Sequence, residues 1–256
     1  NAFLFTGIRG VGKTTIARIL AKSLNCSDPK NYDCLNNKCE NCLQISESRH
    51  IDVLEMDAAS KTGVDDVRDL IEFSRYGPTS SKFKIFIIDE VHMLSKQAFN
   101  GLLKTLEEPP PSLKFILATT EVKKIPITIL SRCQRFDLKR VSIEKIVKHL
   151  EEISKKEKGN ISAKALRIIA QVSEGSVRDG ISLLDRAITF QNVNSKNEVD
   201  DHDIRNMLGL ADKSKIINLL KEITKIKAGF WMSFVGRQFQ PEDCSFSLLG
   251  EPFAPT

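Results

Sequence analysis

The stretch from Gly7 to Thr14 constrains the fold more than any other, because it reads Gly-Ile-Arg-Gly-Val-Gly-Lys-Thr. This pattern is typical of a glycine-rich turn that joins a strand to a helix and holds nucleotide phosphates. The apolar run Ala2–Thr6 precedes it, and Thr14–Leu24 carries apolar residues at helical spacing. We therefore expect backbone N–H groups and a helix N-terminus to face the phosphates, the alternative being a glycine-rich turn without a ligand.

Two side chains of this loop have expected roles in nucleotide chemistry. Lys13 would neutralise the β- and γ-phosphates, and the hydroxyl of Thr14 would bind Mg²⁺. The residues expected to contact the nucleotide are Gly7, Gly10, Val11, Gly12, Lys13, Thr14 and Thr15.

Polar residues at the ends of two further apolar runs complete a hydrolytic pattern. Ile85-Phe-Ile-Ile is followed by Asp89 and Glu90. Asp89 would hold Mg²⁺ through water, and Glu90 would orient and polarise the attacking water. Thr120 ends the next run, where its hydroxyl could contact that water or the phosphate, although strand ends also carry threonine simply as a β-former. His92 is expected to have a hydrogen-bonded structural role.

Apolar runs alternate with helical patterns up to about Val141, and only helical patterns follow. This alternation predicts an α/β fold with a doubly wound parallel sheet and ligands at the carboxyl ends of its strands. The predicted strands are Ala2–Thr6, Asp52–Met56, Lys84–Asp89, Lys114–Thr119 and Arg135–Leu138. The predicted helices are Thr14–Leu24, Val64–Tyr76, Ser95–Glu108, Ser142–Lys156, Ser162–Val172, Ser176–Phe190, Asp200–Leu208 and Ser214–Lys227.

Four of the six cysteines lie within 17 residues: Cys26, Cys34, Cys39 and Cys42. Four thiolates in so short a segment can form a closed tetrahedral Zn²⁺ site of the structural kind, the alternative being free thiols. The spacing between Cys34 and Cys39 leaves the role of Cys34 open. Cys133 stands apart and is expected to be a small buried residue.

Five motifs in this order resemble an AAA+ ATPase of the clamp-loader group: the phosphate loop, Asp89-Glu90, Ala-Thr-Thr120, Ser-Arg132-Cys and Gly-Ser-Val-Arg178-Asp. The resemblance implies ATP as the nucleotide and a small helical lid domain after the sheet. It further implies that Arg132 reaches in trans into a neighbouring subunit's ATP site. Arg178 would contact the γ-phosphate within its own subunit, the alternative for both arginines being a surface ion pair.

The zinc module inserted after the first helix places the resemblance among bacterial clamp loaders, since the eukaryotic and archaeal loaders, the alternative, lack it. The expected partners are copies of this chain, other loader subunits, a sliding clamp and primed DNA. DNA would be held through its backbone, without sequence specificity, at the helix starts near Lys61-Thr62 and Ser95-Lys96-Gln97, the alternative for each lysine being a solvated surface position. The net charge of +5 agrees with an anionic partner.

The resemblance divides the chain into four parts: a nucleotide-binding domain (1–141, with the zinc module at about 26–42), a lid (142–207), the start of a collar (208–227) and an atypical tail (228–256). The tail lacks lysine and periodicity, so we expect it to be disordered. No apolar run is long enough to span a bilayer, and a cytoplasmic bacterial protein is expected. Because both ends depart from the group, we expect the isolated chain to be a weak ATPase. A non-hydrolysing nucleotide-binding scaffold and a non-functional fragment remain as alternatives.

Overall fold

The computed structural model describes residues 2–27, 39–60, 63–193, 197–210, 217–218 and 221–223. Its strands are β1 (Ala2–Thr6), β2 (Val53–Asp57), β3 (Lys84–Asp89), β4 (Leu113–Thr119) and β5 (Cys133–Asp137). These five strands are all parallel and form one sheet in the order β2-β3-β4-β1-β5. The predicted doubly wound parallel sheet is confirmed.

The strand register places the chemically important residues at one edge. Thr6 pairs with Thr119 on one side of β1, and Asp57 pairs with Asp89 at the other end of the sheet. All strands run in the same direction, so the segments that follow them meet at this edge. The glycine-rich loop after Thr6 therefore lies near the acidic residues that end β3.

Helices cover both faces of the sheet, which explains the uninterrupted apolar run in β3. The helices of this part are α1 (Lys13–Asn25), α2 (Glu40–Ser46), α3 (Val64–Ser74), α4 (Lys96–Glu107) and α5 (Ile127–Leu130). Phe86 and Ile88 pack in a core with residues of α3 and α4. Ile85 and Ile87 point to the other face, where they pack with α1. All four side chains are fully buried, as expected for a parallel sheet.

A helical layer follows the sheet, consisting of α6 (Ile143–Lys156), α7 (Ala163–Val172) and α8 (Val177–Val193), with α9 (Asp201–Leu208) after them. Ser162 and Ser176 accept hydrogen bonds from the backbone N–H groups of the helices that they precede. Ser142 precedes α6 without such a side-chain bond. None of the helices that the structure describes is long and apolar enough to cross a membrane.

The chain divides into two units after Ile204. Of the second unit, the structure describes 205–210, 217–218 and 221–223, and the last two segments are helical. The predicted helix Ser214–Lys227 agrees with the structure at residues 217–218 and 221–223, which are the part of this range that the structure describes. The predicted tail, 228–256, lies outside the described residues.

Candidate active site

The glycine-rich loop adopts backbone conformations that its glycines alone make easy. Gly10 and Gly12 have φ angles of 75° and 100°, which lie in the left-handed region. Gly12 is the N-cap residue of α1, and its carbonyl accepts a bond from Ile16 N at 2.9 Å. At Gly7 an added Cβ would lie 2.9 Å from the carbonyl oxygen of Leu138 and 3.3 Å from Cγ1 of Val11. The loop is therefore packed tightly at its start and opens the first helix at its end.

Lys13 is buried at the foot of this loop. Its side chain is among the buried polar groups, and Nζ donates to the carbonyls of Gly7 and Ile8 at 3.1 Å each. Burial lowers the pKa of Lys13; the carboxylates of Glu90 and Asp89 oppose this effect, and Arg178 adds to it. A cation held among carbonyls beside two acids is placed to receive anionic phosphate oxygens.

The Thr14 hydroxyl donates a hydrogen bond to Oδ2 of Asp89, which joins α1 to the end of β3. The other oxygen, Oδ1, accepts the backbone N–H of Glu90 at 2.8 Å. A hydroxyl beside a carboxylate is an all-oxygen donor set of the kind that Mg²⁺ prefers next to phosphates. These two side chains therefore fit the metal role predicted for them.

Glu90 directly follows β3 and has an unusual backbone conformation, with φ 46° and ψ 43°. Its Oε2 accepts the Thr120 hydroxyl at 3.1 Å and lies 3.4 Å from Nδ1 of His92. His92 is also 3.0 Å from Oγ1 of Thr119, and its side chain is only 6% exposed. Glu90, the acid predicted to polarise the attacking water, is thus in direct contact with the Thr120 hydroxyl, and His92 lies beside Glu90.

The helical layer of α6, α7 and α8, which corresponds to the predicted lid, contacts the phosphate loop directly through α8. The carbonyl of Gly10 accepts the N–H groups of Val177 and Arg178, which begin α8, at 3.0 and 3.3 Å. An added Cβ on Gly10 would lie 2.2 Å from Oγ of Ser176. Glycine is therefore required at position 10 both by its φ angle and by the closeness of the lid.

Part of this group lines a cavity of about 370 Å³, whereas the predicted site residues Gly7, Val11 and Thr120 are not among its lining residues. Its lining includes most residues predicted for the nucleotide: Gly10, Gly12, Lys13, Thr14, Thr15, Asp89, Glu90 and Arg178. Four lining residues were not predicted: Arg9, Val177, Ile181 and Ser182. Ile181 lies one helical turn beyond Val177, so the period of α8 combined with Arg178 could have indicated this face.

Arg132 lies elsewhere in the chain, between α5 and β5. Its Nη2 donates to Oε1 of Glu107 at 2.6 Å, and its Nη1 donates to the carbonyl of Thr128 at 2.6 Å. The neighbouring Cys133 is half-buried, and burial raises the pKa of its thiol to about 11. The prediction that Arg132 acts in trans stays a prediction for this single chain.

Three of the four predicted zinc ligands come together in the structure. The Sγ atoms of Cys26, Cys39 and Cys42 lie within 4.8 Å of one another, and those of Cys26 and Cys39 are 4.0 Å apart. Thiolates on one tetrahedral Zn²⁺ at 2.3 Å are separated by about 3.8 Å, so this group fits the metal. Cys34 lies outside the described residues.

The predicted DNA contacts are only partly described. Lys61 and Thr62 lie outside the described residues. Ser95 caps α4 by accepting the N–H of Ala98 at 3.2 Å, and Lys96 is exposed at the first position of that helix. Both segments therefore stay predictions.

Comparison with known proteins gives two family matches that together cover most of the chain. A family described as DNA polymerase III, delta subunit, matches residues 1–142. A second, described as the ATPase lid domain of the DNA polymerase III clamp loader subunit, matches residues 145–193.

Individual relatives agree with these families. The chain is 45% identical over 225 residues to DNA polymerase III subunit tau of Escherichia coli, a match that covers 88% of this chain and 34% of that protein. It is 48% identical over 220 residues to subunit gamma of Buchnera aphidicola subsp. Baizongia pistaciae, covering 86% of this chain and 58% of the relative. The chain thus spans about a third of the tau subunit and less than two thirds of the gamma subunit.

Solved structures show the same fold at low identity. The Thermotoga maritima RuvB Holliday junction branch migration motor is 16% identical with a TM-score of 0.59, and the match covers 88% of this chain and 70% of that one. A single-residue mutant of the same protein matches over the same shares of the two chains, with a TM-score of 0.60. This likeness shows the fold alone.

Proposed function

We propose that this chain, which belongs to the gamma/tau family of bacterial DNA polymerase III clamp-loader subunits, is the ATP-hydrolysing part of such a subunit. The work proposed for the whole protein is to use ATP binding and hydrolysis to load a sliding clamp on primed DNA. One observation carries the ATPase proposal. The loop lysine, the Thr14–Asp89 pair and the Glu90–Thr120 pair all belong to one loop-and-strand-end site.

Binding would depend on the loop and on α1. Lys13 would release the carbonyls of Gly7 and Ile8 and bind phosphate oxygens instead, since anionic oxygens are stronger acceptors than neutral carbonyls. Thr14 and Asp89 would hold Mg²⁺, which supplies charge neutralisation between the phosphates. The depressed pKa of Lys13 would return towards its usual value when the phosphates arrive.

Hydrolysis would depend on Glu90 and Thr120. In this chain the carboxylate of Glu90 is bound by the Thr120 hydroxyl. We propose that a water entering between them would be held by both groups, with Glu90 as the acceptor that polarises it and Thr120 as the donor that orients it. His92 would keep the Glu90 side chain in place from behind.

Two arginines would complete the site. Arg178 lines the cavity from the lid and would bind the γ-phosphate in its own subunit. Because the same turn of α8 is bonded to Gly10, phosphate binding and lid position would be coupled within one chain. Arg132 would stabilise the transition-state charge in a neighbouring subunit, as arginine fingers do.

We propose a structural role for the cysteine group. Cys26, Cys39 and Cys42 would bind Zn²⁺, with Cys34 as the proposed fourth ligand. A closed thiolate site supplies folding energy, not catalysis. It would fix the segment between α1 and β2. The proposed partners remain further copies of the subunit, the other loader subunits, the clamp and the DNA backbone, in the bacterial cytoplasm.

The test is ATP turnover by the full-length subunit, measured with and without the other loader subunits, clamp and primed DNA. Lys13→Ala, Glu90→Gln and Arg132→Ala should each lower stimulated turnover by at least about 100-fold. Glu90→Gln and Arg132→Ala should still bind ATP. Unchanged turnover in Glu90→Gln would instead favour the non-hydrolysing scaffold.

A further inference from the structure

The backbone of Arg132 is held by residues of the buried core. Its backbone N–H donates to the carbonyl of Ile129 at 3.0 Å, and the side chain of Ile129 is fully buried in the core. On the other side, Cys133 begins β5 and packs against the same core. The Cα position of Arg132 is therefore fixed, and the direction of its guanidinium depends on side-chain contacts alone.

Three groups hold that guanidinium, and the two closest come from different helices. Oε1 of Glu107, the last residue of α4, accepts from Nη2 at 2.6 Å. The carbonyl of Thr128 in α5 accepts from Nη1 at 2.6 Å, with Oγ of Ser131 at 3.4 Å. These contacts fix the outer end of a side chain that can otherwise adopt many rotamers.

The position of Glu107 is electrostatically unfavourable for its own helix. The C-terminus of a helix carries partial negative charge, which disfavours a carboxylate in the last turn. Glu107 is also half-exposed, so its ion pair with Arg132 contributes little to overall stability. Helix stability therefore does not explain a carboxylate at this position, whereas the arginine contact does.

The number of N–H donors on Arg132 allows Glu107 and a phosphate to bind the guanidinium at the same time. A guanidinium has five N–H donors. Glu107 and Thr128 use one each and Ser131 a third, so Nε and one hydrogen of Nη2 have no acceptor among the described residues. The side chain of Arg132 is 34% exposed, so these donors can be reached from outside the chain. Glu107 can thus hold the arginine without competing for it.

We propose that Glu107 is a positioning residue for Arg132, orienting the guanidinium towards the ATP site of the neighbouring subunit. The inference rests on the proposed function, in which Arg132 acts in trans. Loss of Glu107 would leave the arginine present but misdirected, and a displacement of about 1 Å from the productive geometry costs up to about 100-fold in rate.

The experiment uses full-length subunits reconstituted into the loader with clamp and primed DNA, and it measures kcat and KM for ATP. Glu107→Ala should lower kcat about tenfold with KM within about twofold, whereas Glu107→Gln, which keeps an acceptor oxygen, should stay within about threefold. Glu107→Lys should fall at least as far as Glu107→Ala, because lysine repels Arg132 while its charge suits the end of α4 and favours folding. The matched control is Glu108→Ala, the adjacent carboxylate, which should stay within about twofold.

A second readout separates action in trans from a structural effect within the chain. Subunits that carry Lys13→Ala have no working ATP site of their own. A second substitution that damages only that site therefore cannot lower turnover any further. Adding Glu107→Lys to these subunits and mixing them with wild-type subunits should lower turnover further, because wild-type neighbours lose their oriented arginine.

Each outcome decides between the two proposals. If Arg132→Ala leaves turnover unchanged, the proposed shared site itself is wrong. If Arg132→Ala lowers turnover but Glu107→Lys behaves like Glu108→Ala, or adds nothing to Lys13→Ala, the positioning role is wrong. Faster turnover in Glu107→Ala would also overturn it, since Glu107 would then be a restraint.

Discussion

At the scale of single residues, Asp52 shows how much of this fold depends on one buried charge. Asp52 is fully buried directly before β2 and accepts five hydrogen bonds from residues 79–81 at 2.7–3.1 Å. Burial alone would raise the pKa of this carboxyl, but the backbone and hydroxyl donors outweigh it and the pKa is lowered. The charged carboxylate thus fixes the loop that leads into β3, the strand that ends in Asp89.

This arrangement predicts a defined pH dependence of stability. A carboxyl whose pKa is lowered in the folded state stabilises the protein above its unfolded pKa, near 3.8, and loses that contribution as the pH falls through the lower folded value. Asp52→Asn should therefore lower the free energy of unfolding by about 2–3 kcal/mol at pH 7. The NH₂ group of the amide would face the N–H and O–H donors of residues 79–81, so some of those donors would lose their acceptor. Urea unfolding between pH 7 and 3 measures this, and the gap from wild type should narrow below about pH 4.

Asp69→Asn provides the control, since Asp69 is exposed on α3 and should change stability by less than about 0.5 kcal/mol. A gap between wild type and Asp52→Asn that stays constant down to pH 3 would contradict the assignment of the effect to the carboxylate charge.

At the scale of elements, the contact between α8 and the phosphate loop gives the clearest prediction. Gly10→Ala and Gly12→Ala both force alanine into positive φ, but only at position 10 does the new Cβ meet the lid. The Val177 and Arg178 amides, which donate to Gly10, should therefore lose hydrogen-exchange protection in Gly10→Ala and keep it in Gly12→Ala.

Removing the obstructing side chain should reverse the effect. Ser176→Gly in the Gly10→Ala background takes away the Oγ that lies 2.2 Å from the new Cβ, so part of the protection should return. Equal protection in the two single alanine variants would show that α8 does not depend on close approach to the loop.

The cysteine group predicts one zinc ion per chain in elemental analysis. Serine at Cys26, Cys39 or Cys42 should remove the metal and lower the Tm, because binding energy of a structural zinc is folding energy. Cys133→Ala is the control: with a pKa raised to about 11, that thiol stays protonated at neutral pH and should not be a ligand. Full zinc content in Cys39→Ser would contradict the proposed site.

How far the sequence predicts these elements depends on whether the signal is local. β3 was predicted with both of its bounds, and α4 within one residue at each end, because a buried apolar run and the Ser95 cap are local signals. The short helices α2 and α5 were not predicted, since seven and four residues are too few for a helical period. The Gly10–Val177 and Arg132–Glu107 contacts join distant segments, and no local pattern encodes them.

At the scale of the whole molecule, the site that we propose is divided between subunits. The phosphate loop, Asp89, Glu90 and the Arg178 side of the lid surround one cavity, whereas Arg132 is held apart by Glu107 and Thr128. Arg132 is not among the residues that line this cavity, which is consistent with its use by a neighbour. The central claim is therefore that each working ATP site takes its loop from one subunit and its Arg132 from another.

The most direct measurement is ATP turnover by a loader assembled from two variants of the full-length subunit, one with Lys13→Ala and one with Arg132→Ala. Loaders built from either variant alone should be inactive, because every shared site lacks one component. Mixing the two should restore part of the turnover, since an intact loop can then meet an intact Arg132 across an interface. Mixed assemblies that stay as inactive as the separate ones would contradict the shared site.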